Sequence, residues 1–596
     1  MKDYSRRQTG RKEKSDSSRP AVTRIHRWRY LFVVLLLLGL PVLALNHIAG
    51  LQVLPNADRG FEFLQGQSAA RTVREESIAA YRGVITDRNG VPLAVSSPVL
   101  TLWANPEIIN NSELHNQPDI LAQLCNLLDI EPKSLLERLD RYANKEFMYL
   151  ARHLSPEKAE QVMRLEIPGI NAKVEYKRFY PAGEVTAHLV GFTNIDEQGQ
   201  EGLELAYDEV LKGVPGVKKV MKDLKGRVIK DISLVRAEKP GQNIALSIDL
   251  RLQYAAYREL KEGIRQHRAQ AGSVVILDVE TGEVLAMVNQ PSYNPNDRGQ
   301  LSSDALRNRA VTDLQEPGSL MKPLTIAAAL ETGRYNINTT IDTSPGWVSL
   351  GRKTFYDHSN YGVLTLAEVL KKSSQVGTSK LAMELDPDHV RDVFARVGIG
   401  ESPGTGFPGE SPGSLPQHRV WRAVERANFA FGYGLSASAL QIAQAYSVLA
   451  DDGQRKNVSL LKVEQAPERQ QVIAASIADT VRHALVSVTE TGGTATRAVI
   501  PGYRVSGKTG TVHKVGSNGY QENRYVSLFA GMAPVDNPRL VTVVIIDDPQ
   551  EGGYYGGLVA APVFSGVTER ALRLLNVSPD QSIASKGQLA IAGGAF

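Results

Sequence analysis

The longest apolar segment of the chain covers residues 30–51. No Asp, Glu, Lys or Arg occurs between Arg29 and Asp58, and the segment contains an unbroken run of eight large apolar side chains at residues 31–38. Residues 30–51 in a helix would reach roughly 33 Å, which is enough to cross the hydrocarbon core of a bilayer. The pattern therefore predicts a membrane-spanning helix over residues 30–51.

A cleaved signal peptide is the alternative interpretation of this segment, because residues 31–45 alone have the length of a long signal-peptide core. However, the polar segment before it is long for a signal peptide, and the apolar stretch continues beyond Leu45. Both features favour an uncleaved anchor. The excess of Lys and Arg before the anchor predicts a cytoplasmic N-terminus and places everything after residue 51 across the membrane.

Between Asp58 and about Pro240 the pattern of apolar positions is mixed. Residues 83–86 read as a short strand that runs into the turn Asp87-Arg88-Asn89-Gly90, and Asn-Gly between apolar runs is a strong hairpin signal. Two stretches, residues 118–139 and 156–165, have a helical pattern. This part of the chain is thus predicted to mix short strands and helices.

After Lys239-Pro240-Gly241 the pattern becomes more regular. Two pairs of strand-like runs read as antiparallel hairpins: residues 273–279 with 284–288, and 527–532 with 540–546. Four helical runs lie between these hairpins, at about residues 320–331, 364–384, 437–450 and 473–488. Strands at both ends with helices between them predict an α+β domain whose sheet joins distant segments.

Composition and charge exclude several classes of protein. The 596 residues are 42% hydrophobic, which is ordinary for globular protein, and the single cysteine, Cys125, rules out an intramolecular disulfide framework. Residues 1–29 carry a net charge of +7, so the rest of the chain is slightly acidic although the total is +4. Because the chain after residue 29 is slightly acidic, it lacks the excess of basic side chains that attracts nucleic acid, so no nucleic-acid partner is predicted.

Metal and nucleotide sites are both disfavoured. The eleven histidines are scattered, and no His-Glu-x-x-His occurs, so no metal site is predicted. Residues 502–509 satisfy the phosphate-loop pattern Gly-x-x-x-x-Gly-Lys-Thr, and residues 543–547 resemble the apolar strand that accompanies it. A phosphate loop needs a helix that begins at the Lys-Thr, whereas Gly510, Gly516 and Gly519 follow here. This segment is therefore predicted to be a strand and loop, outside the compartment that holds ATP.

Ser-x-x-Lys is the pattern of a serine whose proton can be taken by a lysine on the same helix face. It occurs three times, at Ser155/Lys158, Ser319/Lys322 and Ser459/Lys462. Only Ser319 lies between a Pro-Gly turn and an apolar helical run, residues 324–330. A nucleophile at a helix N-terminus has a backbone N–H and the helix dipole available for a developing oxyanion, so Ser319 is the predicted nucleophile.

The chain resembles the penicillin-binding proteins and serine β-lactamases, whose three motifs are Ser-x-x-Lys, Ser-Asp-Asn and Lys-Thr-Gly. The corresponding residues are Ser319-Leu320-Met321-Lys322, Ser373-Ser374-Gln375 and Lys508-Thr509-Gly510-Thr511. Their order and spacing are similar to those of class B penicillin-binding proteins, the monofunctional peptidoglycan transpeptidases. Further similarity is found at residues 82–90, 180–181, 188–191, 202–204, 431–435 and 560–564. The residues around Ser319 and residues 431–435 most resemble the division-specific, septal member.

The resemblance implies a role for each motif residue. Ser319 would attack the penultimate D-alanine of a stem pentapeptide with Lys322 as base, and Ser373 and Lys508 would relay a proton to the leaving amine. The hydroxyls of Thr509 and Thr511 would bind the terminal carboxylate of the substrate, and the backbone N–H groups of Ser319 and Thr511 would form the oxyanion hole. Gly510 suits a strand that lies against the substrate.

The resemblance also implies the domain organisation. Residues 1–29 would be a cytoplasmic tail, 30–51 the transmembrane helix, 52–240 a periplasmic pedestal or dimerisation-like domain, 241–575 the transpeptidase domain and 576–596 a C-terminal tail. The protein would cross the inner membrane once, with its catalytic domain in the periplasm, and would need no cofactor. Implied partners are peptidoglycan stem peptides, β-lactams, a polytopic glycosyltransferase and other division proteins.

One position departs from the family pattern, because the second motif usually ends in Asn and this chain has Gln375. The extra methylene moves the amide by roughly 1 Å in a site where such shifts matter. Three interpretations therefore remain: an active transpeptidase, a penicillin-recognising scaffold or sensor with little turnover, and a hydrolase of peptides or β-lactams. The acceptor amine, the activating partners and the choice between septal and side-wall synthesis also remain open.

Overall fold

The computed structural model describes residues 27–52, 61–112, 114–223, 228–299, 301–465, 467–516 and 519–581. These residues form two compact units, one within Met1–Glu76 and Lys218–Val235, the other within Ser77–Val217 and Arg236–Phe596. The predicted cytoplasmic tail up to residue 26 and the predicted C-terminal tail beyond residue 581 lie outside the described residues.

Short strands and helices alternate in the part of the chain before residue 250. The strands are β1 (Val73–Ile78), β2 (Ile85–Thr86), β3 (Pro92–Ala104), β4 (Met148–Leu154), β5 (Ile170–Phe179), β6 (Gly216–Lys222), β7 (Val228–Arg236) and β8 (Ile244–Ala245). The helices are α1 (Arg27–Gln52), α2 (Phe61–Thr72), α3 (Pro106–Asn111), α4 (Pro118–Leu128), α5 (Pro132–Arg141), α6 (Pro156–Met163), α7 (Ala187–Val190), α8 (Gly202–Ala206) and α9 (Asp208–Leu211).

The first unit contains the predicted apolar helix. Helix α1 begins three residues before the predicted start, and within the described residues it alone is both long and apolar enough to span a membrane. The same unit holds α2 and a three-stranded sheet in the order β1-β6-β7.

In the second unit, the part before residue 250 is built on a sheet in the order β4-β3-β2-β8, with β5 also paired to β3. The predicted hairpin is present, because β2 pairs antiparallel with β3 across the turn at residues 87–90. The predicted helix over residues 118–139 is wrong as a single element. Asp129 adopts a left-handed conformation and Pro132 starts a new helix, so the stretch forms α4 and α5.

A buried cluster of charged side chains lies beside this sheet. Arg82 is 1% exposed and donates to a Glu204 carboxylate oxygen at 2.7 Å, while Arg178 donates to the other oxygen at 2.6 Å. A second guanidinium nitrogen of Arg82 donates to Asp208 at 2.7 Å. Two of the sequence blocks noted above, residues 82–90 and 202–204, therefore meet in a buried ion-pair network, in which removal of one partner would leave an uncompensated charge.

The elements from residue 250 onward form the α+β domain predicted from the pattern. The strands are β9 (Ala271–Asp278), β10 (Val284–Gln290), β11 (Thr340–Asp342), β12 (Trp347–Leu350), β13 (Lys353–Tyr356), β14 (Val363–Thr365), β15 (Gln454–Lys456), β16 (Arg469–Gln471), β17 (Ser506–Gly516), β18 (Gly519–Ala533) and β19 (Leu540–Asp547). The helices are α10 (Leu250–His267), α11 (Ser303–Leu306), α12 (Arg309–Thr312), α13 (Lys322–Glu331), α14 (Leu366–Lys372), α15 (Gln375–Glu384), α16 (Pro387–Arg396), α17 (Ala423–Ala430), α18 (Ala439–Ala450), α19 (Ala475–Ala484), α20 (Val486–Thr489) and α21 (Gly556–Leu574).

The main sheet has five antiparallel strands in the order β10-β9-β19-β18-β17. Both predicted hairpins are confirmed as β9/β10 and β18/β19, and β19 pairs with β9, which joins segments more than 250 residues apart. Strand β17 is the outermost strand at one end. Its pairing with β18 is regular from Ser506 to His513 and becomes irregular between His513 and Val515.

The two faces of this sheet carry different helices. A Cβ at Gly531 in β18 would lie 2.9 Å from the Phe564 ring of α21, and one at Gly272 in β9 would lie 3.0–3.1 Å from Ile264 and Leu260 of α10. In contrast, a Cβ at Gly510 in β17 would meet Leu320, in the turn that contains Ser319. Helices α10 and α21 thus cover one face, and the residues around Ser319 cover the other.

Two predicted helical runs are each divided in two. The run at residues 364–384 becomes α14 and α15, because Ser373 between them has a left-handed backbone with φ 53°. The run at residues 473–488 becomes α19 and α20. The division at Ser373 matters most, since it leaves the second sequence motif between two helix ends rather than inside a helix.

Candidate active site

Ser319 lies in a single turn of 3₁₀-helix, Gly318–Met321, that leads directly into α13. Gly318 N–H donates to the carbonyl of Gly432 at 3.1 Å, and Tyr446 OH donates to the carbonyl of Leu320 at 2.8 Å. Gly432 has φ +83°, and a Cβ there would lie 2.2 Å from the Gly318 carbonyl oxygen. The block at residues 431–435 therefore supports the backbone of the predicted nucleophile.

Lys322 is the first residue of α13 and is completely buried. Its Nζ donates to the Ser373 carbonyl at 2.6 Å, to Ser373 Oγ at 3.3 Å and to the Ser374 carbonyl at 3.3 Å. Burial lowers the pKa of this amine to about 7, although the negative charge of Asp357 acts in the opposite direction. A large fraction of Lys322 is therefore neutral near pH 7, which a proton acceptor requires.

The predicted contact between Ser319 and Lys322 is not direct in this structure. Within the described residues, the recorded hydrogen bonds of Lys322 Nζ go to Ser373 and Ser374, and none goes to the Ser319 hydroxyl. Catalytic hydrogen bonds are often long before substrate binds. Ser319 is half-buried and lies one helical turn before Lys322, so the two side chains share one side of the α13 N-terminus.

Lys508 lies in β17 and is also completely buried. Its Nζ donates to Ser373 Oγ at 2.9 Å and to the Thr509 carbonyl at 3.2 Å. Burial and the nearby charge of Lys322 hold its pKa well below the usual value. Two buried amines thus meet on one serine hydroxyl, an arrangement in which Ser373 can pass a proton from one nitrogen to the other.

The nucleotide-binding alternative is not supported by this geometry. Lys508 lies inside a strand, and no helix begins at Lys508 or Thr509, so the backbone N–H groups that cradle a phosphate are not gathered there. The apolar run at residues 543–547 belongs to β19, which is separated from β17 by β18.

The residues after Lys508 alternate between the two faces of the edge strand. Thr511 Oγ1 accepts a hydrogen bond from Gly556 N–H at 3.0 Å, and the Thr509 and Thr494 hydroxyls are 2.9 Å apart. Because Gly556 is the first residue of α21, the positive end of that helix lies beside Thr511. The Thr509 and Thr511 hydroxyls therefore lie close to the α21 N-terminus, whose positive end would stabilise an anionic group bound at the edge of β17.

The structure gives Gly510 an additional reason for lacking a side chain. A Cβ at residue 510 would lie 3.2 Å from the Pro317 carbonyl oxygen and 3.2 Å from Leu320 Cγ. The position thus faces the turn that contains Ser319, and the glycine allows β17 to approach that turn closely. The contact of this strand with substrate stays a prediction.

Gln375 is the first residue of α15, after the N-cap Ser374, and its side chain is half-buried. Its backbone N–H donates to Asp357 Oδ1 at 2.6 Å. Asp357 was missed by the sequence analysis, as were Tyr446, Thr494 and Gly556. None of these four has a motif of its own, because each is placed by the tertiary fold.

The other two Ser-x-x-Lys pairs have ordinary structural roles. Ser155 is the N-cap of α6, and its hydroxyl accepts from Lys158 N–H at 3.4 Å. Ser459 Oγ donates to the carbonyl of Leu461 at 2.7 Å, and Lys462 Nζ donates to the carbonyl of Arg88 at 3.0 Å. Both lysines of these pairs are exposed, so neither pair contains a buried amine.

Comparisons with known proteins point in one direction. Residues 272–569 match the penicillin-binding protein transpeptidase domain, and residues 77–246 match the penicillin-binding protein dimerisation domain. The peptidoglycan D,D-transpeptidase FtsI of Escherichia coli is 42% identical over 93% of both chains, and the probable peptidoglycan D,D-transpeptidase PbpC of Pseudomonas aeruginosa is 41% identical over 93% of this chain and 96% of its own.

Solved structures agree with these sequence matches. The apo transpeptidase domain of Burkholderia pseudomallei penicillin-binding protein 3 is 40% identical, with a TM-score of 0.53 over 56% of this chain and 98% of its own. Penicillin-binding protein 3 of Mycobacterium tuberculosis, complexed with aztreonam, is 26% identical, with a TM-score of 0.65 over 85% of this chain and 99% of its own.

Proposed function

Because the chain belongs to the class B penicillin-binding proteins, with a dimerisation domain and a transpeptidase domain, we propose that it is a peptidoglycan D,D-transpeptidase that serves septal wall synthesis in cell division. The observation that carries the catalytic assignment is the meeting of two buried lysines, Lys322 and Lys508, on the Ser373 hydroxyl behind the Ser319 turn.

In the first half of the reaction, Ser319 Oγ bonds to the carbonyl carbon of the penultimate D-alanine, and the serine proton passes to neutral Lys322. The bond from that carbon to the nitrogen of the terminal D-alanine then breaks. The leaving nitrogen takes a proton through Ser373 and Lys508, which leaves an ester on Ser319 and free D-alanine. The backbone N–H groups of Ser319 and Thr511 are the proposed donors to the oxyanion.

In the second half, an amine from a neighbouring stem peptide attacks the ester carbon. The bond to Ser319 Oγ breaks, the amine gives up a proton, and Ser319 recovers one through the same lysines, so the reaction has no net proton change. A β-lactam follows only the first half. Its carbon–nitrogen bond breaks within a ring, so the leaving amine stays attached and the ester persists.

The terminal carboxylate of the donor is proposed to bind at Thr509 and Thr511. Since Gly556 N–H already donates to Thr511 Oγ1, the hydroxyl proton of Thr511 is free to point toward a carboxylate. The N-terminus of the 19-residue helix α21 adds a favourable dipole at the same place. Gln375 is proposed to contact the peptide backbone of the donor through its side-chain amide.

The direct test of the function uses the full-length chain in detergent, a labelled penicillin, and a donor pentapeptide with an amine acceptor. We expect a long-lived label and the release of one D-alanine for each cross-link formed. D-alanine release without cross-links, together with rapid loss of the label, would instead identify a hydrolase. A chain that is never labelled would identify a scaffold or sensor.

Gln375→Asn tests the one departure from the family pattern. If the amide contacts the donor backbone, the longer glutamine side chain places it differently, so we expect slower acylation by some β-lactams in the natural chain than in Gln375→Asn. The measurement is the second-order acylation rate for several β-lactams with different side chains. Equal rates for all of them would show that the reach of this amide is irrelevant.

The membrane arrangement is proposed from α1 and the charge around it. The chain would cross the inner membrane once, with residues 1–29 in the cytoplasm, residues 52–240 as a pedestal and residues 241–575 as the catalytic domain in the periplasm. A polytopic glycosyltransferase and other division proteins are the proposed partners of the anchor and pedestal.

Protease added to spheroplasts checks this arrangement. We expect digestion of everything after α1 and protection of the basic N-terminal tail, because the tail would lie inside the cell. Release of a shortened, soluble chain on cell breakage would contradict an uncleaved anchor, and digestion of the tail would contradict the orientation.

A further inference from the structure

Asp357 lies outside the three motifs, yet its carboxylate holds the start of α15. Oδ2 accepts from Ser374 Oγ at 2.6 Å, and Oδ1 accepts from the backbone N–H groups of Gln375 and Val376 at 2.6 and 3.1 Å. The first N–H groups of a helix have no partner within the helix, and a carboxylate there also interacts favourably with the helix dipole. Asp357 therefore caps α15 from a distant segment.

The fold fixes Asp357 through the hairpin β12/β13. The residue directly follows β13, and its backbone N–H donates to the carbonyl of Gly346 at 2.9 Å, immediately before β12. Phe355 in β13 is 4% exposed and packs edge to face on Phe431, with ring centroids 5.4 Å apart. Phe431 in turn lies 6.0 Å from Lys322 Nζ, so the hairpin is anchored in the wall of the active site.

The cap acts on Ser373 through a very short connection. Only Ser373 and Ser374 separate the end of α14 from the start of α15, and Ser373 has the left-handed backbone described above. A non-glycine residue keeps this conformation only when its surroundings impose it. The bonds from Asp357 hold the α15 side of the connection and so hold the Ser373 hydroxyl between Lys322 and Lys508.

The charge of Asp357 acts on the same residues. Within the part of the chain that the structure describes, the charged groups coupled to Lys322 are Asp357 after β13 and Lys508 from β17, and Lys322 also contacts Ser373, Ser374 and the Phe431 ring. Asp357 favours a proton on Lys322, and the charge of Lys322 in turn opposes a proton on Lys508. Asp357 is thus the counter-charge for the buried amine of Lys322.

We propose that Asp357 is a positioning residue of the transpeptidase reaction, with two separable effects: its oxygens hold Ser373 in place, and its charge sets the pH range in which Lys322 accepts the Ser319 proton. This inference rests on the function proposed above. It predicts that changes in geometry and changes in charge at residue 357 alter different features of the acylation kinetics.

Three substitutions separate the two effects in the full-length chain. Asp357→Asn keeps an acceptor for the two backbone N–H groups and removes the charge, Asp357→Glu keeps the charge and displaces the oxygens, and Asp357→Ala removes both. The measurement is the second-order rate of penicillin acylation from pH 5 to 9, which rises with pH as Lys322 loses its proton. Thermal unfolding shows that each chain is folded.

For Asp357→Asn we expect the rise of the acylation rate with pH to occur roughly one pH unit lower. We express each rate at pH 6 as a fraction of the same chain's maximal rate. This fraction should then be roughly five times larger in the variant than in the natural chain. For Asp357→Glu we expect the acylation rate to rise over the same pH range as in the natural chain and to reach a lower maximum. For Asp357→Ala we expect the shifted pH range and a maximal rate lower by roughly 10²-fold, as small misplacements in an active site can cause.

Asp386→Asn is the matched control, because Asp386 also caps a helix, α16, through a backbone N–H at 3.0 Å and is exposed. Its pH profile should coincide with that of the natural chain. If the acylation rates of Asp357→Asn and the natural chain rise over the same pH range, the charge effect is overturned. If Asp357→Ala has the same maximal acylation rate as the natural chain, the positioning effect is overturned. A natural chain that is not labelled at Ser319 would contradict the proposed function and this inference with it.

Discussion

We expect Ser319→Ala to abolish covalent labelling by penicillin completely, while Ser155→Ala and Ser459→Ala keep it. The reason is that acyl-enzyme formation needs the serine oxygen itself, and of the three Ser-x-x-Lys pairs only this one has a buried lysine. Removing the nucleophile leaves nothing to which the acyl group can bond. The measurement is fluorescence of the full-length chain on a denaturing gel after incubation with a labelled penicillin.

The two control variants test whether labelling depends on the surroundings of the serine or on the Ser-x-x-Lys pattern alone. Ser155→Ala removes the N-cap of α6 and is expected to cost about 1 kcal/mol of stability without affecting labelling. Ser459→Ala removes a hydrogen bond to the Leu461 carbonyl, with a similar cost. Label that persists in Ser319→Ala would overturn the assignment of the nucleophile.

Lys322→Met is expected to lower the rate of acylation by roughly 10²–10⁴-fold, the usual contribution of a positioned base. Methionine has nearly the length of lysine and no amine, so it fills the same buried space without taking the proton of Ser319. The variant should remain folded, because a completely buried amine is replaced by an apolar group of similar shape. Stopped-flow acylation rates and thermal unfolding together check the prediction.

The pH dependence of stability provides an independent control on Lys322. Since its folded-state pKa is about 7 against an ordinary 10.5, Lys322 binds more protons in the unfolded chain between these values, and its contribution to the free energy of unfolding rises with pH across that window. Lys322→Met lacks this contribution, so its stability should rise less between pH 7 and 9. Identical slopes would mean that Lys322 is not held neutral by burial.

The sequence predicted the main elements of the catalytic domain well, for a physical reason. The strands of the two hairpins are buried apolar runs with clear turns between them, and local pattern is sufficient to identify such segments. It failed at residue 373, where a left-handed serine divides one apparent helix into two. An apolar helical pattern continues across that residue, and the conformation is imposed by partners distant in sequence.

The same limit explains which site residues were found. Ser319, Lys322, Ser373 and Lys508 belong to short motifs, so they could be listed before the structure was known. Asp357, which follows β13, and Tyr446 in α18 contact the same site, and each is one ordinary residue in its own segment. Gly510 was noticed for its motif, but its contact with the Pro317 carbonyl depends on how an edge strand packs against a turn.

The position of β17 at the end of its sheet has a consequence for self-association. An unpaired strand edge is a template for joining other chains, and proteins usually protect such edges with lysines that point outward, prolines or bulges. Here β17 has two lysines: Lys508 points into the core, and Lys514, beyond the regular pairing that ends at His513, pairs with Asp547. The unprotected edge is therefore short. It is long enough to pair with a few residues of an extended peptide, and the irregularity beyond it limits the growth of a longer intermolecular sheet.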